Sequence, residues 1–206
     1  MKLTTKSGRN NKVHIMTDDE YALTIDSEYW YTSPWCVKKE IDEEEFEDLR
    51  QEIENRRAWL SAVDLLSVRN HSEKELVLKL RRKYSQNAAE LAAKKAVRLG
   101  LLDDETFAQM YAEELVKRKK YGFSRVKNEL RLKGISPEII ESVISSLDID
   151  AKESIISVIE RKYSRKISDE KGRRNVIAAL QRMGYSYSDI KSALCEFGES
   201  DEYEEW

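Results

Sequence analysis

The chain has 206 residues, 40% of them hydrophobic and 36% charged, which is more charge than a compact globule carries and what an elongated protein would show. Seven glycines, two prolines and abundant Glu, Lys, Arg, Leu and Ala favour helices joined by short loops. The net charge of −3 argues against a nucleic-acid partner, but it is unevenly spread: 6 basic against 12 acidic side chains in residues 1–49, 30 against 22 in 50–198, and none against 5 in 199–206.

In chain order, residues 1–11 are polar and are expected to be disordered. Residues 12–40 read as a small N-terminal β-hairpin element. Lys12–Met16 and Tyr21–Ile25 flank the turn at 17–20, and Tyr29, Trp30 and Tyr31 add a strand or a packed loop ending near Pro34. With few cations interleaved, this aromatic run and Trp35 read as hairpin packing rather than a stacking platform for bases. Ile41, Phe46, Leu49 and Ile53 mark a helix that continues through Trp59, Ala62, Val63 and Leu66, with Trp59 expected in the core.

From there the sequence repeats with a period of 50 residues. Leu76, Val126 and Val176 coincide, as do Leu80, Leu130 and Leu180, and Ala93, Val143 and Ala193. Ala89 matches Ile139, and Val97 matches Leu147 and Phe197. Gly122 and Gly172 share a position with Ser72, and Gly134 and Gly184 share one with Tyr84. Each copy reads as three helices. In the second, Phe107, Met110, Tyr111, Glu114, Leu115 and Lys119 lie on one amphipathic helix. A short helix from about Ser124 to Lys133 is closed by Gly134, and Ser136-Pro137 opens a third. Ser72-x-x-Glu75, Asn87-x-x-Glu90 and Asp150-x-x-Glu153 have capping-box spacing, and Gly100 ends the first copy's third helix. The expected organisation is a linking helix plus repeat 1 over 41–102, repeat 2 over 103–148, repeat 3 over 149–198, and a disordered acidic tail over 199–206. The fold class is mainly α, a tandem array of three three-helix repeats. Units this small have little core of their own, so stacking of neighbours is needed.

No catalytic constellation stands out. Cys36 and Cys195 are far apart and read as free thiols of a reducing cytoplasm. His14 and His71 have no nucleophile or second ligand at useful spacing. No phosphate-loop, dinucleotide or zinc pattern is present, so no cofactor and no metal is expected. No apolar run is long enough to span a bilayer, which predicts a cytoplasmic protein without a membrane partner. Basic clusters recur in all three copies, at Arg81-Arg82-Lys83, at Lys117-Arg118-Lys119-Lys120, and at Arg161-Lys162, Arg165-Lys166 and Arg173-Arg174. Either they are solubilising cations near helix ends, or they form an electropositive face for phosphates or an acidic protein groove.

Several segments resemble the RecX family of RecA regulators. They are Ala62-x-x-Leu65-Leu66-x-x-Arg69-x-x-Ser72-x-x-Glu75-Leu76-x-x-Lys79-Leu80, Leu101-Leu102-Asp103-Asp104-x-x-Phe107-Ala108-x-x-Tyr111, and Gly122-x-x-Arg125-Val126-x-x-Glu129-Leu130-x-x-Lys133-Gly134-Ile135. The hairpin at Asp18–Leu23 is similar to an element of some members. Tyr84 and Ser85 depart from the Lys-Gly ending that the family has there, and the acidic ends lie outside its signature. The resemblance implies three tandem three-helix units in a curved, elongated molecule. It also implies a non-enzymatic regulator that binds in the helical groove of RecA filaments on single-stranded DNA, inhibiting filament extension, ATP hydrolysis, strand exchange and coprotease activity. The partner-facing or DNA-facing cations are then expected among Arg81, Arg82, Lys117, Arg118, Lys119, Lys120, Arg125, Arg173 and Arg174. The protein is expected to be a monomer with at most weak contact to single- or double-stranded DNA. A direct nucleic-acid binder, with the last two helices of a copy acting as a helix-turn-helix, is the alternative, and an enzyme is a more distant one.

Overall fold

The computed structural model describes residues 1–148, 150–167 and 169–203. Among them lie ten α-helices and one three-stranded antiparallel sheet. The chain forms two compact units, one of Met1–Arg69 with Leu76–Leu101, the other of Asn70–Glu75 with Leu102–Trp206.

The first unit begins with the sheet, in strand order β1 (Leu3–Ser7), β2 (Lys12–Thr17) and β3 (Glu20–Asp26). Thr17 pairs with Glu20, leaving a two-residue turn in which Asp18 and Asp19 both take positive φ, 50° and 67°. That is the hairpin turn whose twist matches the flanking strands, and Asp is among the residues that tolerate it. The expected hairpin is therefore present, but it is the second half of a three-stranded meander. The expectation of disorder over 1–11 is corrected by β1. This strand has a polar sequence because it is an edge strand in which only Leu3 is buried. It is held instead by its backbone: it pairs with β2 from Leu3↔Thr17 to Ser7↔Val13, Leu3 N–H donates to Lys39 O (2.7 Å), and the Met1 amine donates to Ile41 O (2.7 Å).

The aromatic run also differs from expectation. Ser27–Thr32 is a short helix, α1, followed by a 3-10 turn at Pro34–Val37. Aromatic residues favour strands only weakly, and tertiary packing overrides them here. Trp30 is buried in a cluster with Leu3, Val13, Ile15, Ile25, Ile41, Leu49 and Ile53, while Tyr29 and Trp35 both donate to the Glu52 carboxylate. Tyr29, Trp30 and Trp35 are packing, as read, whereas Tyr31 is exposed.

Helix α2 (Glu43–Val68) starts at a full capping box, Asp42 with Glu45, behind three acidic residues that suit the positive end of the helix. Its first half supplies Leu49 and Ile53 to the sheet cluster. Its second half carries the small buried residues Ala58 and Ala62 and packs on α4 (Gln86–Arg98), whose buried face is Ala88, Ala89, Ala92, Ala93 and Ala96. Small side chains bring the two axes close. Trp59, expected in the core, is half-buried beneath Lys95 (4.4 Å). Helix α4 is capped by Ser85, two residues earlier than the Asn87 box anticipated, and ends through Gly100 at φ 68° as expected.

The second unit contains α5 (Asp104–Lys117), α6 (Phe123–Leu132), α7 (Pro137–Ser146), then α8 (Ala151–Lys162), α9 (Glu170–Arg182) and α10 (Tyr187–Tyr203). Helix α3 (Glu73–Leu80) is the second helix of the first copy. Helix starts follow the sequence: Asp103, Ser136 and Asp150 each cap with a side-chain oxygen, and Pro137 occupies the first position of α7. Gly134 (φ 86°) and Gly184 (φ 93°) close α6 and α9 in the left-handed conformation. The repeat register is real in space: Leu76, Val126 and Val176, then Leu80, Leu130 and Leu180, then Ala93, Val143 and Ala193 are all buried. Val97 departs from it, being 45% exposed where Leu147 and Phe197 are half-buried. The helical backbone of α10 runs on to Tyr203, into the segment expected to be a disordered tail, and 204–206 lie outside the described residues.

Candidate interaction site

The repeats meet through one joint used twice. Where the second unit receives residues 70–75, the buried Ser72 donates from its hydroxyl to Lys133 O (2.7 Å) and accepts from Glu75 N–H (3.2 Å). Gly134 stands against Lys74, and the Glu75 carboxylate lies 3.2 Å from both Lys133 Nζ and Nδ1 of the buried His71. Fifty residues on, Gly122 N–H donates to Met183 O (2.9 Å), and Gly184 stands against the backbone of Arg125. In both cases the N-terminal end of one second helix seats on the C-terminal turn of the next, where spare N–H donors face spare carbonyls. Only glycine suits the turn, because its φ is left-handed and a Cβ on Gly184 would lie 2.3 Å from Arg125 N. Burial disfavours the charged forms of groups around these joints. It pushes the Tyr185 hydroxyl, which donates to Lys120 O (2.8 Å), up to about 12. It also pushes up Tyr111 and the Asp104 carboxyl, the latter although Asp104 accepts from Glu73 N–H.

The nine cations singled out from the sequence do not share one environment. Lys117 pairs with Glu113 (2.7 Å), Arg118 with Glu114 (3.2 Å), Arg125 with Glu129 (2.7 Å) and Arg174 with Glu170 (2.5 Å), each across one helical turn. The bond from Lys117 holds the Glu113 carboxyl below its ordinary range. These are exposed pairs of small energetic weight, which a phosphate or an acidic partner can displace. Arg81, Arg82, Lys119, Lys120 and Arg173 make no ion pair among the described residues. The structure does gather one group: Lys119 Nζ (5.9 Å) and the Arg125 guanidinium (5.6 Å) both approach the Tyr121 ring, and Lys120, at φ 55°, turns the chain between them. Arg81 and Arg82 follow α3 in the first unit, whereas Arg173 and Arg174 lie in the opening turn of α9, at a helix start rather than a helix end.

Tyr121 and Tyr185 were not singled out from the sequence. The period contained the signal, since Tyr185 follows Gly184 as Ile135 follows Gly134, but the hydroxyl's reach to Lys120 requires the fold. His14 bonds Thr24 Oγ1 through Nδ1 (2.7 Å). Among the described residues no helix is long and apolar enough to cross a membrane.

Residues 58–95 match the family model described as "RecX, first three-helix domain", and residues 103–144 match "RecX, second three-helix domain". The chain is 30% identical over 190 residues to the regulatory protein RecX of Caldanaerobacter subterraneus, covering 92% of this chain and 95% of that one. The chain belongs to the RecX family. The RecX of Clostridioides difficile is 28% identical over 206 residues, covering 98% of this chain and 97% of that one. A crystal structure of a regulatory protein RecX superposes with a TM-score of 0.68 at 20% identity, over 92% of this chain and 97% of its own, and shows the same fold. The resemblance read from the three sequence segments is borne out, and with it the mainly helical repeat architecture.

Proposed function

We propose that this RecX-family chain binds the RecA filament on single-stranded DNA, in its helical groove, and inhibits filament extension, ATP hydrolysis, strand exchange and coprotease activity. It would act without chemistry of its own, as a cytoplasmic monomer. The observation that carries this reading is the doubled joint: units set at a fixed spacing suit a partner that itself repeats. Many modest contacts then add through effective concentration, without one strong site. The family name, regulatory protein RecX, supports the same partner. The contacting cations are proposed to be Arg81, Arg82, Lys117, Arg118, Lys119, Lys120, Arg125, Arg173 and Arg174.

RecA's ATPase on single-stranded DNA tests both levels. Substoichiometric protein should lower the rate, and no effect at equimolar protein would refute the function. Lys117→Glu with Lys119→Glu should weaken inhibition about tenfold and flatten its salt dependence, as loss of charge-assisted contacts does. Undiminished potency would refute the residue assignment. Tyr121 between two cations also resembles a base-stacking position, which favours a second reading, direct binding of single-stranded DNA. A steep salt slope and tight affinity for DNA without RecA would establish that reading instead.

A further inference from the structure

Three grooves of the first unit share a wall at Tyr84. One, of about 370 Å³, lies between α2 and the end of α3, over Leu65 and Leu80, and carries the cations Lys79, Arg82 and Lys83. The other two, of about 250 Å³ each, lie between α2 and β3, over Ile53 and Leu60, and both carry Arg57. Tyr84 is half-buried and its hydroxyl is tied to Ser61 Oγ (2.8 Å), which fixes the ring where the grooves meet.

The charges of this trough are not balanced. Of its carboxylates, Asp26 pairs with Lys12 (2.5 Å) and Glu47 with Arg50 (3.2 Å), while Glu54 accepts from Ser85 N–H (2.8 Å) and Ser85 Oγ (3.0 Å). The Asp64 carboxylate has no such partner among the described residues, and neither do Lys79, Arg82 and Lys83 across the groove from it. On the β3 side, Arg57 donates to Thr24 O, a neutral acceptor that leaves its charge uncompensated. A surplus of cations over an apolar floor calls for an anion with apolar parts. The remaining acids distinguish two kinds. A nucleic-acid strand carries a charge at every phosphate and would bring some of them against Asp64, Glu47 and Glu54. A peptide can set carboxylates on the cations and an apolar side chain between them.

We propose that this trough docks a short acidic segment of another protein, its carboxylates on Arg57, Lys79, Arg82 and Lys83 and an apolar side chain against Leu65 and Tyr84. Clustered cations recognise acidic motifs in this way, and the apolar contact adds specificity. Of these cations only Arg82 is also proposed above to contact the filament, and the inference does not depend on that reading.

The test uses the full-length protein without RecA or DNA, and fluorescence anisotropy at low salt. The probe is a labelled peptide of sequence Asp-Glu-Leu-Asp-Glu-Phe-Asp. Its amide counterpart, with Asn and Gln for the acids, should bind about tenfold or more weakly, and so should a form with Ser for Leu and Phe. Lys83→Glu in the protein should weaken the acidic peptide about five- to tenfold, with circular dichroism unchanged. Arg81→Glu, next to the trough but not on its wall, should cost less than about twofold. Asp64→Asn should tighten binding about two- to fivefold, the range of one exposed charge. Equal losses for Lys83→Glu and Arg81→Glu, no gain from Asp64→Asn, or no preference for the acidic peptide would each overturn the proposal. So would oligothymidine displacing the peptide at lower concentration than unlabelled peptide does, which would make the trough a nucleic-acid site. Sedimentation should show one species, and a dimer dissolved by Lys83→Glu would make a second copy of this chain the occupant instead.

Discussion

The joint between copies two and three can be probed by adding a single carbon. Gly122 has φ −76°, which alanine adopts freely, so Gly122→Ala introduces no backbone strain. The new Cβ, however, would lie 2.5 Å from Gly184 O, 2.6 Å from Gly184 C and 2.8 Å from Tyr185 N, all backbone atoms that no rotamer change can move aside. Overpacking of this kind costs about 1–3 kcal/mol. The substitution also replaces a serviceable N-cap residue with a poor one, at about 0.5–1 kcal/mol. Against this, alanine removes unfolded-state freedom and stabilises by about 0.4–1 kcal/mol. The net expectation is a loss of about 1–3 kcal/mol, with a fall in Tm of roughly 2–4 °C for each kcal/mol in a chain this long. Urea unfolding followed by circular dichroism gives the energy. Hydrogen exchange should place the weakening around 122–126 and 183–185. Gly100→Asn is the control: Gly100 is left-handed at φ 68° with nothing within 4 Å, and asparagine tolerates that conformation, so stability should stay within about 0.5 kcal/mol. A Gly122→Ala protein as stable as its parent would show that the joint is not closely packed, and the argument built on it would fail.

Two further perturbations follow. Ser72→Ala removes the bond to Lys133 O and the cap on Glu75 N–H from a buried position, so chemical unfolding should report a loss of about 1–2 kcal/mol. Ser72→Gly, the residue of copy two, should recover part of that loss, and equal values for the two variants would contradict the capping role. Tyr185 and Tyr29 have hydroxyls raised by burial to about 12, above the unfolded value near 10, so the folded state holds both protons more tightly. The stability they contribute is complete below pH 10 and is lost as the pH rises towards 12. Tyr185→Phe should therefore flatten the fall in Tm across that window, and an unaltered fall would rule Tyr185 out as its source.

The repeat cores were legible because a buried position tolerates few residue types, so the same apolar register returns every 50 residues even where the copies share little else. Leu80, Leu130 and Leu180 show this directly. Strand β1 was not legible. Its stability lies in main-chain pairing with β2, which leaves no apolar alternation to read in Thr4-Thr5-Lys6. Helix α1 was hidden for the opposite reason: Tyr29, Trp30 and Tyr31 carry a strand-like composition, but Tyr29 is placed by Glu52 and Trp30 by the sheet cluster, partners distant in sequence. The basic clusters were visible as runs of like charge. A run does not show that Glu113, Glu114 and Glu170 sit one turn away and occupy three of those cations, nor that Lys119 and Arg125 converge on Tyr121. That sorting depends on side-chain direction along α5, α6 and α9.

Helix α2 serves two interiors along its 26 residues, the strand cluster through Leu49 and Ile53 and the alanine seam of α4 through Ala58 and Ala62. At about 1.5 Å per residue it is a strut of roughly 39 Å with no break between the two. The N-terminal meander is therefore not a detachable arm. A fragment trimmed to begin at residue 58, where the first family domain starts, would sever the strut in mid-span, removing the sheet together with the half of α2 it packs on and leaving α4 facing half a helix. Shortened versions of this protein meant to isolate the repeats need to keep the whole of α2 and the sheet that covers Leu49 and Ile53.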